Sequence, residues 1–319
     1  MSLFPRAAEP ALAGLPLGPL SHVYFVDPTH GDDDNVGTSR QKPLKTLPEA
    51  YDRCVAGHND VVALVATDAG ITLTAKLTWA KSYTHLVGLC APVRTAQRAR
   101  IFAAAAWDGA ALIEISGTGC IWKDVYIFNG AAVATALGNV LVSGGRCYFE
   151  NVHFAGAGHA TNAVDGAYSL GLSGGDGEHL FKNCTFGLTS MGAATGVRTV
   201  ALLGGYTPRV VFEDCFFGLH ATNAGAMFVE DDSAGGSIIE YMLFKDCVFF
   251  NESETAIDTA FEVDVVDTTR QHFLLGNCIR NSGVDDWEDQ AKGCVWCGGN
   301  MQDMGAGTSI GDMVVATVA

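Results

Sequence analysis

The chain has 319 residues, 48% of them hydrophobic and only 17% charged, a balance that excludes intrinsic disorder and leaves room for a large core. With 19 Lys and Arg against 35 Asp and Glu the formal charge is -16, which argues against a nucleic-acid partner held by phosphate neutralisation and against an anionic membrane. The 38 glycines without a Gly-X-Y period point to many tight corners, and ten dispersed cysteines read as small buried thiols rather than a disulfide framework.

In chain order, residues 1–21 read as an extended N-terminal arm. It is apolar but carries Glu9 and Pro5, Pro10, Pro16 and Pro19 where a signal peptide needs a basic start and an unbroken apolar run. Secretion by a signal peptide is therefore not expected, and no apolar run reaches the length of a membrane span. Residues 22–60 read as an N-terminal cap: a strand at 23–26, a polar turn at 27–35, and a capping box from Thr46 to Glu49 that opens a short helix through Val55, closed by Gly57. Residues 61–65, 86–90 and 100–102 read as strands of the first coils.

After residue 120 one unit recurs six times. Its fixed point is Asp or Asn followed by Val or Cys: Asp124 and Val125, Asn151 and Val152, Asn183 and Cys184, Asp214 and Cys215, Asp246 and Cys247, Asn277 and Cys278. The successive spacings are 27, 32, 31, 32 and 31 residues. Each unit holds that strand and an earlier apolar one, at 112–115, 140–142, 169–172, 200–203, 227–229 and 261–265, with Gly-rich corners between them. A repeat of this length made only of strand signal indicates an all-β, single-stranded right-handed parallel β-helix, with coils over 61–302 and a C-terminal arm at 303–319. Two ladders are expected from coil stacking. Val125, Val152, Cys184, Cys215, Cys247 and Cys278 form one inward column, and Phe128, Phe154, Phe186, Phe217 and Phe249 an aromatic one. The Asp and Asn residues sit at a corner, where they tolerate left-handed dihedrals.

Cleavage of a polysaccharide would need two carboxylates flanking a groove, or a base with a cation. Glu230, Asp231 and Asp232 are the acidic candidates to test first, with Asp165, Asp264, Asp267, Asp285 and Asp286 behind them. In a chain of 35 acidic residues such neighbours arise readily in solvated loops. The run Asp32, Asp33, Asp34 supplies clustered oxygens for calcium but lacks the spacing of an EF-hand loop. Cys294 and Cys297 have a zinc-like gap, yet Cys278 and His272 would have to leave their ladder positions to complete a site. No cofactor is expected.

Tyr24, Phe25, Val26, Asp27 and Pro28, then Gly31 to Asn35, Gly37, Thr38, Pro43, Thr46, Leu47 and Ala50 resemble the opening of pectin-lyase-like right-handed parallel β-helix proteins. The resemblance covers roughly residues 22–300 and implies a strand, a looped turn and a capping helix before the coils. Polygalacturonase-like members add a Gly-His-Gly and an Arg-Ile-Lys segment; this chain offers only His159 after Gly158 and His220 after Leu219, with no Arg-Ile-Lys. Lys123, Arg146, Lys182, Arg198, Arg209, Lys245 and Arg270 read as scattered coil-surface charges rather than a track for an acidic polymer. At fold level the chain looks like β-helical virion proteins of tailed bacteriophages. That implies a capsid decoration or cement protein, a homotrimer bound to a capsid shell protein and assembled in the host cytoplasm. The alternative is a tailspike or other β-helical polysaccharide-binding or degrading protein.

Overall fold

The computed structural model describes residue 12, residues 14–231, 238–263 and 271–280, and the strands Val284–Asp286 and Cys294–Cys297. Asp232, Asp264, Asp267, the C-terminal arm and residues 1–11 and 13 of the N-terminal arm lie outside the described residues. Among the described residues three parallel sheets make up the body, of ten, seven and nine strands, and each coil between residues 77 and 251 contributes a strand to all three. In the coil of Asp124 these are Ala111–Ile115 in the second sheet, Ile121–Lys123 in the first and Val125–Asn129 in the third. The architecture is an all-β parallel solenoid of the right-handed type.

The sequence suggested two strands per unit, and the structure has three. The difference lies at the repeated Asp or Asn. Asp124, Asn151, Asn183, Asp214, Asp246 and Asn277 all take φ between 51° and 57°, the left-handed region that costs most residues about 1–2 kcal/mol and Asn or Asp less. One such residue turns the chain sharply enough to pass from the first sheet to the third, so the apparent single strand is two. The corner residues are also tied to one another: the amide of Asn151 donates to the Asp124 carboxylate at 2.6 Å, and the Asn183 N–H donates to the Glu213 carbonyl of the next coil at 2.9 Å.

Immediately after the corner, Val125, Val152, Cys184, Cys215 and Cys247 are fully buried and Cys278 is 4% exposed. The thiols do more than fill space. Cys184, Cys215, Cys247 and Cys278 donate to the carbonyls of Phe149, Phe181, Phe212 and Phe244 in the preceding coil at 3.4–3.5 Å. Valine has no donor to offer there. Burial pushes the Cys215 and Cys247 thiols well above their ordinary range, so they stay protonated and unreactive.

Two phenylalanine stacks run beside this column. Phe149, Phe181, Phe212 and Phe244 stack at 4.7–4.8 Å between centroids, and Phe154, Phe186, Phe217 and Phe249 at 4.7–5.1 Å. The stacks meet edge to face, as at Phe181 and Phe186, 5.8 Å apart. Phe128 does not belong to the second stack. Phe154 pairs with Ile127, which is fully buried, because side chains alternate along a strand and Ile127 lies two residues after Val125 as Phe154 does after Val152. Phe128 leaves the opposite face and meets Phe102 and Tyr126.

Among the described residues there is one helix, Leu47–Arg53, whose Thr46 side chain accepts from the Glu49 N–H. It stops before Val55 because the Asp60 carboxylate takes the Val55 N–H at 2.7 Å. Leu47 and Ala50 are buried, and the Tyr51 ring lies 4.3 Å from Trp79.

A strap crosses the coils. Residues 91–98 leave the first sheet after Thr84–Leu89 and run along the solenoid axis. Gln97 donates to the Asn151 carbonyl at 2.7 Å, the Ala96 N–H to His153 Nδ1 at 3.0 Å, Thr185 Oγ1 to the Arg94 carbonyl at 2.9 Å, and Arg94 to the Asp214 carbonyl at 2.8 Å. His153 Nε2 lies 2.9 Å from the Gly187 carbonyl, which can only accept, so the ring is neutral with its proton on Nε2. His85 and His179 likewise accept backbone N–H groups, from Ile121 and Cys147. Burial lowers all three from 6.5 to about 4.

Phe181 meets four phenylalanine rings and that of His179, so Phe181→Ala lowers the unfolding free energy by about 3–5 kcal/mol, whereas Phe128→Ala on the outer face costs much less; guanidinium titration of both variants measures the difference. The unfolded chain protonates its histidines below pH 6.5 while the folded chain resists to about 4, so stability falls as pH drops through that window, by up to about 3 kcal/mol per histidine. Urea midpoints against pH measure that slope, and His153→Gln flattens it by one proton's share. An unchanged slope contradicts the buried neutral ring.

Candidate functional site

The outer surfaces of the coils hold most of the chemistry-bearing side chains, and their arrangement is regular. On the first sheet, Lys123, Glu150, Lys182, Glu213 and Lys245 occupy one registered row. The row alternates in sign, with ion pairs of 2.8 Å between Lys123 and Glu150 and 2.7 Å between Glu213 and Lys245. A second alternating row, Arg146, Glu178, Arg209 and Glu240, lies where the chain enters that sheet, the first two just before their strands and the last two within the opening of theirs. Arg146 and Arg209 reach Glu178 at 2.5 and 2.6 Å, and Arg209 also pairs with Glu240. All four take φ from 52° to 63°. Charged residues seldom occupy that region, and here the backbone cost accompanies a continuous ladder. The two arginines hold the Glu178 carboxyl below its ordinary range. Of the cations that looked scattered in the sequence, Lys123, Arg146, Lys182, Arg209 and Lys245 are thus members of neutralised ladders, and Arg270 lies outside the described residues.

Arg198 is not a surface charge: it is 6% exposed and forms an ion pair with Glu230. The pair lies on the second sheet near Tyr168, whose hydroxyl donates to the Ala110 carbonyl at 3.0 Å and whose pKa burial pushes up to about 12. Glu114, in the same registered row as Glu230, is held by Lys76 and by Ser143; the Lys76 hydrogen bond lowers its pKa. Four coil spacings separate Glu114 from Glu230, about 19 Å at roughly 4.8 Å each, far beyond the 5–9.5 Å of a glycosidase pair. Glu230 and Asp231 are neighbours in the strand Met227–Asp231, so their side chains leave opposite faces and do not converge on one bond.

The aspartate run near the N-terminus is tied into its own turn. Asp33 accepts from the N–H groups of Lys45 and Thr46 and from the Thr46 hydroxyl, all at 2.9 Å; Asp32 accepts from the Asp34 N–H at 3.0 Å. Among the described residues no group of three or more His, Cys, Asp or Glu side chains is placed to hold a metal ion. Cys278 keeps its place in the thiol column, and Cys294–Cys297 is a strand registered on Phe273 to Gly276 of the first sheet. Asp285 and Asp286 belong to the strand Val284–Asp286, paired with Ile257–Thr259.

A cleft of about 430 Å³ opens beside the first coil, lined by Pro28, Lys45, Thr46, Pro48 and residues 70–77. No carboxylate lines it. A void of about 20 Å³ between Ala155, Tyr168, Ser169 and Arg198 has room for about one water. The sequence signalled neither the Arg198–Glu230 pair nor the strap, since their partners lie up to 120 residues apart. The charge ladders carried a usable signal: the opposite sign recurs at the same place in consecutive units.

No family model matches the chain, and no curated protein matches it. Solved structures do resemble it. Pectin methylesterase PemA from Erwinia chrysanthemi superposes with a TM-score of 0.56 at 13% identity, over 92% of this chain and 91% of that one. The same values of TM-score and identity hold for a pectin methylesterase in complex with a hexasaccharide, over 91% of both chains. A rhamnogalacturonan lyase superposes at 0.50 with 11% identity, over 83% of this chain and 75% of that one. At these identities the likeness concerns the fold alone: the chain has the parallel β-helix fold of pectin-lyase-like proteins.

Proposed function

We propose that this protein is a structural component of a virion, a capsid decoration protein of a tailed bacteriophage that stabilises the shell through subunit contacts. The observation that carries this reading is the commitment of the coil-surface charge. Glu114 and Glu230 each hold a cation, Asp33 holds backbone donors, and the first-sheet charges neutralise one another in ladders. Acid–base chemistry needs a carboxylate poised toward substrate, and these are engaged in holding coil on coil or, at Asp33, the N-terminal turn. In this reading the helix Leu47–Arg53 closes the N-terminal end of the coil stack, the terminal arms reach the shell, and the rigid body spaces them. Assembly takes place in the host cytoplasm.

A second reading is favoured by the fold likeness to pectin methylesterase and rhamnogalacturonan lyase, one of them holding a hexasaccharide: a β-helical protein that binds or degrades polysaccharide. One experiment separates the two. The purified chain is incubated with host capsular polysaccharide and with methyl-esterified pectin, and reducing ends, unsaturated ends and methanol are measured. The structural reading expects none of these above a heat-denatured control, together with co-sedimentation of the protein with shells that loses occupancy on deletion of residues 1–20. Catalytic release of any of the three overturns it, and full occupancy of the deletion variant overturns the arm's role.

A further inference from the structure

The outer face of the first sheet carries a registered stripe of partly exposed apolar side chains between the two charge ladders. Tyr148, Leu180, Val211 and Leu243 follow one another in consecutive coils, with Ile121 before them and Leu274 after. Each coil in the stripe is flanked by opposite charges: Arg146 and Glu150 about Tyr148, Glu178 and Lys182 about Leu180, Arg209 and Glu213 about Val211, Glu240 and Lys245 about Leu243. The signs alternate both along the ladders and across the stripe, which makes a checkerboard. The corresponding stretch of the third sheet lies beneath the strap, and the second carries the Arg198–Glu230 pair.

We propose that two copies of the chain pair in parallel through this face, about a two-fold axis that runs along the apolar stripe. Such an axis sets each coil against the same coil of the second copy and exchanges the two ladders. Arg146 then faces Glu150, Glu178 faces Lys182, Arg209 faces Glu213 and Glu240 faces Lys245, so opposite charges meet in all four coils while Leu180 and Val211 meet their own counterparts. A slip of one coil sets Arg146 against Lys182 and Glu178 against Glu213, which like-charge repulsion disfavours. The pattern therefore selects both orientation and register, as a self-complementary patch must. With a formal charge of -16 on every copy, approach through a face whose ladders balance cation against anion also avoids most of the mutual repulsion.

The stripe spans five coil spacings, about 24 Å, and the face is roughly 20 Å wide, so each copy covers about 500 Å². The sum over both copies stands near 1,000 Å², the lower end for a specific interface, and the pair is weak and concentration-dependent in solution. It is a dimer where the sequence led to the expectation of a trimer, and it does not depend on shell binding, because a monomer can still decorate a shell.

The experiment is sedimentation equilibrium of the full chain together with thiol cross-linking. Wild type is expected to move from monomer to dimer as concentration rises, and Leu180→Asp combined with Val211→Asp is expected to remain monomeric. Leu180→Cys is then treated with a short bismaleimide, which bridges facing sheets too far apart for a disulfide. It is expected to give a covalent dimer where wild type and Val93→Cys, on the strap, give none; Val211→Cys serves in its place if Leu180→Cys fails to fold. A chain monomeric at every concentration, a trimer, or a dimer unchanged by the paired Asp substitutions overturns the proposal.

Discussion

Every feature of this molecule depends on one constraint: each coil must lay its inward side chains directly on those of the coil before. Parallel strands stack with a fixed spacing of about 4.8 Å, so a residue that fits at one level fits at the next only if it has nearly the same size and shape. The two phenylalanine stacks satisfy the constraint with rings held within 16° of parallel. The thiol column satisfies it with a small side chain that also returns a hydrogen bond to the coil beneath. Once those columns are in register, the corner residues fall into line and the left-handed turn repeats. The sequence repeat is the trace this stacking leaves.

The same register governs the surface. A strand whose inner residues align must also align its outer ones, so like charges at equivalent positions would stand one above another at that short spacing. The chain avoids this by alternating sign from coil to coil, in Lys123, Glu150, Lys182, Glu213 and Lys245 and again in Arg146, Glu178, Arg209 and Glu240. Individually such exposed pairs contribute little, but together they remove a repulsion that register would otherwise impose. The low charge content then has a simple source. Three faces of each coil are largely filled by packing, and the charge that remains on the first sheet is paired there.

How much of this was legible in the sequence depends on range. The ladder of Val125, Val152 and the later cysteines could be read because each unit restates it about 31 residues on, and the Asp and Asn corner because its residue types name their own dihedral. The aromatic column was read one residue out at Phe128, because the later phenylalanines lie two residues after the Val or Cys of the column, and the residue two after Val125 is Ile127. The division of the repeated segment into two strands, which makes three per coil, was hidden by a single residue's φ. Nothing local marks the strap: Arg94 and Asp214 come together only because the strap runs past three intervening coils. Nor does anything local mark Arg198 and Glu230 as partners, although burial of a lone arginine would require one. The Glu230 and Asp231 pair looked like a dyad in one dimension and is divided between two faces of a strand in three.

The claim on which the account rests is that identical small inward side chains set the register, and it is tested most directly at Cys215, which is fully buried between Cys184 and Cys247. The stability of Cys215→Val is to be compared with that of Cys215→Leu by guanidinium unfolding. Because valine already fills this column at Val125 and Val152, the account predicts that Cys215→Val costs no more than about 1.5 kcal/mol. Leucine overpacks a space that cannot widen without lifting one coil off the next, and Cys215→Leu is predicted to cost about 1–3 kcal/mol more. Equal losses in the two variants, or a more stable leucine variant, would contradict the account.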